Sequence, residues 1–302
     1  MIRSMRAEYR EEPCRSALNR VEGMPFNWSL NPYMGCEHRC AFCYVRGFER
    51  RADRPADDRY GRSIRVKVNV AQVLRQELSR PSWKREEVAI GAATDPYQPA
   101  EGRYRLTRAC LEALARARTP FGIITRGTLI VRDLDVLVEA SRRAQVSVNF
   151  SIPTLDTEIW RVTEPHTSPP RQRLRALERL VSAGIKAGVG MAPIIPGLSD
   201  DPEKLADVVR AARDAGATFL WARVLYLKPG TREHFIDTVG HAWPELAERY
   251  AKLYERRAYV GRAESEGTAE QVRDLKRRFG IADRRTLKLL PPEEPAQGLL
   301  PI

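Results

Sequence analysis

Three cysteines, Cys36, Cys40 and Cys43, fall within eight residues of one another in the stretch NPYMGCEHRCAFCYVR, Asn31 to Arg46. Their spacing is C-x3-C-x2-C. Three thiolates on one loop can ligate three irons of a cubane iron–sulfur cluster, one iron each. The fourth iron then lacks a protein ligand and is open to a small molecule that offers an amine and a carboxylate. In such a site the cofactor carries the chemistry and the protein positions it. The other reading is a zinc site with His38 as the fourth ligand. Structural zinc sites usually pair ligands from two separated knuckles, and no second knuckle occurs here. Cys110 falls on an apolar helical face and is expected to be an inert core thiol. Cys14 lies in an unpatterned segment and receives no role.

A ligand loop needs a scaffold. From about residue 64, short β-branched runs alternate with amphipathic helical patterns. Strands are expected at 87–92, 121–125, 146–152, 186–194 and 219–225, and helices at 70–80, 106–116, 134–143, 171–183 and 201–215. Leu106, Cys110, Leu111 and Leu114 share one helical face, as do Leu174, Leu177, Leu180 and Val181. Gly184 and Gly216 supply helix stops, and Pro202 a start. Such alternation implies βαβ units and a parallel sheet. With 28–33 as the first strand there are about six repeats, short of the eight that close a barrel. The expected fold is α/β, a partial (β/α)6 TIM-like barrel. Residues 1–26 read as a polar, irregular N-terminal extension, 27–230 as the barrel domain, and 231–302 as a C-terminal helical extension and tail. That last part is expected to hold helices at 243–257 and 268–279, then an extended tail, Leu290 to Ile302, with four prolines.

Bulk composition narrows the class. The chain has 302 residues, 43% hydrophobic and 30% charged, enough to bury a core. No apolar run approaches the roughly 20 residues that cross a bilayer. Arg3, Arg6 and Arg10 are followed by no apolar stretch, so no secretory signal is expected and the reducing cytoplasm is the default compartment. Five cysteines are too few for a disulfide scaffold. Lys and Arg number 51 against 39 acids, a formal charge of +12. Such a field attracts polyanions, which makes nucleic acid a candidate partner.

The cysteine stretch, with aromatic Phe42 before its last cysteine, resembles the hallmark of the radical S-adenosylmethionine (radical SAM) enzymes. Over roughly residues 20–230 the chain is similar to their spore photoproduct lyase-like branch. The likeness rests on Cys43-Tyr44, on Ala92-Ala93-Thr94-Asp95, on Ile124-Thr125-Arg126, on Asn149-Phe150-Ser151 and on PIIPGLSD, Pro193 to Asp200. These runs fall at or just past the C-terminal ends of successive predicted strands, where parallel barrels build active sites. The resemblance implies a [4Fe–4S] cluster on the three cysteines, S-adenosylmethionine at its open iron, and a 5′-deoxyadenosyl radical. It also implies an electron donor of the flavodoxin or ferredoxin type, and it puts Phe42 beside the adenine.

The remaining assignments follow from what that cofactor needs. Its carboxylate needs a cation, and Arg126 offers a bidentate fork where the repair lyase usually has Lys. Thr94, Asp95 and Ser151 are candidate acceptors for the amine or ribose, and Ile195, with Pro196 and Gly197, a wall for the adenine. Asp95, before Pro96, could equally start a turn, and Ser151 could cap the next helix. Tyr44 is the candidate catalytic residue for radical relay, or it packs with Tyr33. The repair lyase has a hydrogen-donating cysteine near the end of its second strand, and this chain has Ala92 there. An alanine methyl cannot take that role, so the resemblance does not bring photoproduct repair to this chain.

Two further clusters flank these residues. Glu164, His166 and Arg173 precede a helix. Eight arginines lie between Arg39 and Arg65, interrupted by Asp53, Asp57 and Asp58. That loop reads as a salt-bridged cover over the site, or as a phosphate-binding rim. The expected substrate is a nucleic acid or nucleotide-like polyanion. The alternatives are a peptide or small molecule, or a non-catalytic zinc- and nucleic-acid-binding protein.

Overall fold

A helix that is apolar along one stripe must lay that stripe on a partner, and here the partner is a curved sheet. The computed structural model describes residues 7–281. Its strands are β1 (Glu8–Glu12), β2 (Leu18–Arg20), β3 (Trp28–Leu30), β4 (Tyr33–Met34), β5 (Ser63–Lys67), β6 (Val88–Ile90), β7 (Phe121–Thr125), β8 (Val146–Ser151), β9 (Lys186–Ile194) and β10 (Leu220–Val224). Six of them pair in parallel in the order β3, β6, β7, β8, β9, β10, and β2 adds an antiparallel edge to β3. Among the described residues β2 and β10 do not pair, so the sheet is open. This is the partial (β/α)6 barrel that the alternation predicts. A second sheet, in the order β1, β5, β4, lies beside it.

The two faces of the large sheet differ in kind. Phe121, Ile123, Val148, Phe150 and Val189 join Leu111, Leu114, Leu137 and Leu177 of the helices in the main buried core. The opposite, lumen face is built of small and polar residues. Register aligns Ser29, Ala89, Gly122 and Ser147 across four strands, and Ser151, Gly190 and Trp221 across three.

Most predicted elements match to within two or three residues. The helices Leu106–Arg116 and Leu134–Arg143 and the strands β7 and β9 have the expected bounds. The irregular N-terminal segment is corrected: it contains β1 and β2. Strand β1 (EYREE) is mostly exposed and lacks apolar alternation, so its sequence carries no strand signal; its pairing with β5 creates it. The expected single strand at 28–33 splits into β3 and β4, which belong to different sheets, with Pro32 between them unable to donate to a ladder. The helices Arg46–Arg51, Pro99–Tyr104, Thr157–Thr163 and Thr231–Ala242 lie where no helix was expected.

The C-terminal helices are built into the structure. Phe235, Val239, Tyr250 and Tyr254 share a second buried cluster with Cys40, Ala41, Phe42 and Ile195. Helix Arg262–Arg278 packs on β10 and on helix Pro202–Asp214, and its Val272 is buried in the main core. The proline-rich tail lies outside the described residues.

Gly91, which follows β6, has φ +89°, and a Cβ there would lie 2.3 Å from the Ile124 carbonyl oxygen and 2.6 Å from Pro96. Gly91→Ala is expected to lower stability by at least about 1 kcal/mol, read as a lower urea midpoint with an unchanged slope.

Candidate active site at the barrel mouth

The cysteine loop runs from Gly35 to Cys43 between β4 and helix Arg46–Arg51. All three cysteines are free; Cys36 and Cys40 are buried and Cys43 is half-buried. The loop is gripped from several sides. Gln98, fully buried, donates to the Gly35 carbonyl and accepts from the Glu37 N–H, both at 3.1 Å. Glu37 in turn accepts from Tyr9 of β1 at 2.9 Å and from the Ala100 N–H at 3.0 Å. Ala41 N–H donates to the Thr163 carbonyl at 2.8 Å, and the Thr231 hydroxyl donates to the Cys43 carbonyl at 3.0 Å. The N-terminal strand and the first C-terminal helix thus both hold the loop in place.

Asp95 sits below it, buried. One carboxylate oxygen accepts from the Thr125 hydroxyl at 2.7 Å and from the Tyr97 N–H at 2.9 Å; the other accepts from the Arg126 N–H at 2.6 Å and lies 3.2 Å from His38 Nδ1. Burial alone would raise this carboxyl, but His38, Thr125 and the Arg126 amide outweigh it and hold it at about 2. Asp95 therefore starts the expected turn and also ties the cysteine loop to the end of β7. Thr94, buried beside it, donates its hydroxyl to the Tyr33 carbonyl at 3.0 Å. Asn31 Oδ1 accepts from the Ala93 and Thr94 N–H groups.

Arg126 leaves the end of β7 and crosses the barrel mouth. Its guanidinium lies 5.4 Å from the centre of the Phe42 ring and donates to the Ala192 carbonyl at 3.2 Å. Its Nε donates to Glu164, which also pairs with Arg173 at 2.9 Å. Glu164 and Arg173 are fully buried. Burial alone would raise Glu164, but Arg173 and Arg126 hold it below its ordinary value. Arg173 continues to the Ser151 and Ser168 carbonyls, both at 2.7 Å. Two arginines and one glutamate leave one net positive charge next to Cys40, whose thiol burial pushes up to about 12 against the opposing pull of Arg126. Ile195 is buried in the cluster that holds Cys40 and Phe42, and Ser151 is buried at the end of β8.

Of the sequence-predicted residues, Cys36, Cys40, Cys43, Phe42, Asp95, Arg126 and Ile195 come together, with Thr94 and Ser151 at adjoining strand ends. Tyr44 lies at the edge of this group: its ring is half-exposed against Phe48, its hydroxyl donates to the Ala92 carbonyl, and the charges of Cys43 and Arg126 reach it. The relay candidate therefore touches Ala92. The arginine loop reads as a cover. Arg46, buried, donates to the Ala56, Asp57, Arg39 and Cys40 carbonyls, while Arg59–Asp57 and Arg62–Asp58 pair at 2.8 Å. The sequence reading assigned no role to Asn31 or Thr231 and left Glu164 and Arg173 as a loose cluster. Only their burial marks them, and burial has no local signal in a charged or amide residue.

The donor set fits an iron–sulfur cluster better than zinc. A zinc ion needs its donors in one coordination sphere. Among the described residues no three His, Cys, Asp or Glu side chains converge on one ion, and His38 faces Asp95. Cysteines that each take a different iron need no such convergence.

Comparison with known proteins bears on family and fold. A sequence profile of the Radical SAM superfamily matches residues 30–209. An uncharacterized protein of Mycobacterium tuberculosis is 39% identical, covering 100% of this chain and 91% of its own. An uncharacterized protein of Acidianus two-tailed virus is 30% identical over 75% of this chain and 77% of its own. Among solved structures, spore photoproduct lyase complexed with dinucleoside spore photoproduct superposes with a TM-score of 0.67 at 15% identity, covering 90% of this chain and 79% of that one. The last likeness is one of fold.

Two outcomes are expected from the buried charges. Glu164→Ala leaves Arg126 and Arg173 facing each other without a counter-charge and should cost about 3–5 kcal/mol of stability, read from urea unfolding. Because the Asp95 carboxyl is held below its unfolded value of about 3.9, its contribution is complete above that pH and drains away as pH falls toward 2. The difference in urea midpoint between the parent and Asp95→Asn should shrink accordingly; a difference that grows in acid would contradict this.

Proposed function

The chain belongs to the radical SAM superfamily, and from that membership we propose reductive cleavage of S-adenosylmethionine at a [4Fe–4S] cluster on Cys36, Cys40 and Cys43. As a member it is an enzyme that uses S-adenosylmethionine and an iron–sulfur cluster. When bound, the cluster supplies the electron that breaks the sulfonium C–S bond and releases a 5′-deoxyadenosyl radical. An electron donor is required, and a flavodoxin or ferredoxin is the type proposed.

The observation that carries this reading is the seat of Arg126, which is next to Cys40, over Phe42 and across the barrel mouth. Arg126 takes the cofactor's carboxylate, held in position by Glu164. Thr94 and Ser151 accept from its amine and ribose, and Phe42 and Ile195 flank the adenine. Asp95, with both oxygens engaged, acts as a positioning residue that fixes the loop and the Arg126 backbone. Tyr44, at Ala92, stands in for a hydrogen or electron relay. The substrate is a nucleic acid or nucleotide-like polyanion. The +12 charge supports this, as does the lyase fold, one of whose structures holds a dinucleoside photoproduct. No helix among the described residues is long and apolar enough to cross a membrane, and a cytoplasmic location is proposed.

Anaerobic reconstitution should give a brown protein with iron and sulfide, which forms 5′-deoxyadenosine when dithionite and S-adenosylmethionine are added. Cys36→Ala, Cys40→Ala and Cys43→Ala should each abolish that product. Arg126→Ala should raise KM for S-adenosylmethionine about 10- to 100-fold, the cost of one charged hydrogen-bonding partner, and Arg126→Lys should recover part of it. Stoichiometric zinc with no deoxyadenosine would sink the proposal.

A further inference from the structure

Trp221 stands on the lumen face of β10, level with Gly190 and Ser151, and is 37% exposed. An exposed tryptophan among the small and polar residues of this face calls for an explanation. Its indole N–H donates to Asn149 Oδ1 at 2.8 Å. That bond orients the amide: with the oxygen turned to the indole N–H, Nδ2 lies over Gly190 beside the indole. Asn149 is 8% exposed, and its Nδ2 is buried without a hydrogen-bond partner. A buried donor left unpaired carries an uncompensated desolvation cost, which an incoming acceptor would offset. Gly190 makes the arrangement possible, because a Cβ there would lie 2.8 Å from the indole and 2.9 Å from Asn149 Nδ2.

Charge continues along the same strand. Arg223 and Lys228 are exposed, and among the described residues neither pairs with an acid. Lys228 instead lies 5.7 Å from the centre of the Tyr226 ring. Between them Val224, Leu225 and Leu227 are buried in the cluster that contains Cys40 and Phe42. The exposed indole and the two cations therefore lie on β10 and its continuation, with the unpaired amide beside the indole on β8.

We propose that Trp221 and Asn149 form a base-reading platform for single-stranded nucleic acid. A nucleobase stacks on the exposed indole face and presents a ring nitrogen or carbonyl to Asn149 Nδ2, while flanking phosphates meet Arg223 and Lys228. Stacking accepts any base because every base has a π-face; the amide adds a preference for an acceptor at one edge. A base pulled from a duplex or carried on a single strand can present its face and edge in this way, whereas a base stacked inside a duplex cannot. This inference rests on the nucleic-acid reading above and names the residues that would carry it.

The test is fluorescence anisotropy with the anaerobically reconstituted full-length protein, a labelled single-stranded oligonucleotide, and the same strand carrying abasic sites. Trp221→Ala should weaken binding of the intact strand about 5- to 100-fold, the range of one base–aromatic stack, and change binding of the abasic strand little. Trp221→Tyr should recover most of the loss, and Asn149→Ala should alter the ranking among homopolymers. Should Trp221→Ala fail to fold, the intact-to-abasic ratios of the parent, Trp221→Tyr and Asn149→Ala still decide the matter. Parent protein that binds both strands alike, or a Trp221→Ala protein as tight as the parent on the intact strand, would overturn the platform while leaving the nucleic-acid reading intact. Parent protein that forms deoxyadenosine yet binds no oligonucleotide at low salt would remove the nucleic-acid reading and the platform together.

Discussion

A carboxylate buried away from water must find donors for its oxygens or give up its charge, and Asp95 shows what that demand can organise. Its donors come from its own turn, from the Thr125 side chain and Arg126 backbone at the end of β7, and from His38 inside the cysteine loop. Three segments far apart in sequence are thereby fixed at one point. The cysteines cannot shift relative to the strand ends without unpairing a buried charge, so the ligand loop inherits the rigidity of the barrel.

The second constraint is charge balance under Cys40. Glu164 has no solvent contact and is kept ionised by two arginines, and the group retains one net positive charge. Thiolates, a cluster and a carboxylate-bearing cofactor all need positive potential nearby, and a guanidinium held by a buried partner supplies it without paying to reorganise. Arg126 is thus both a strand-end residue and part of a core ion network. Cation–π contact places it over Phe42, and its contact with the Ala192 carbonyl carries it across the mouth.

The lumen and the cover divide the remaining work. Small residues on the inner face of the sheet leave space below the mouth, and Trp221 intrudes only where Gly190 yields to it. Above, Arg46 gathers the carbonyls of the arginine loop from within, so the run of positive charge is folded back on itself by its own aspartates. Arg223 and Lys228, exposed and paired with no acid among the described residues, lie instead on β10 and its continuation.

By itself the sequence determined the strand–helix alternation and the strand ends at which parallel barrels build their sites, and it singled out three closely spaced cysteines. Cysteine spacing is local and hydrophobic period is local, so both can be read from a window of residues. The helix Leu106–Arg116 and strand β9 emerge with their bounds from that period alone. What tertiary structure decided is which polar residues are buried and with whom. Glu164 and Arg173 read as a loop and a helix start, yet both are enclosed; Asp95 read as an acceptor for a cofactor, yet its oxygens are engaged by protein donors. Strand β1 has no strand pattern and exists because β5 offers its edge. Asn149 and Trp221, 72 residues apart, meet only because β9 between them carries glycine. Pairing of buried charge and close approach across strands are non-local, and no window of sequence contains both partners.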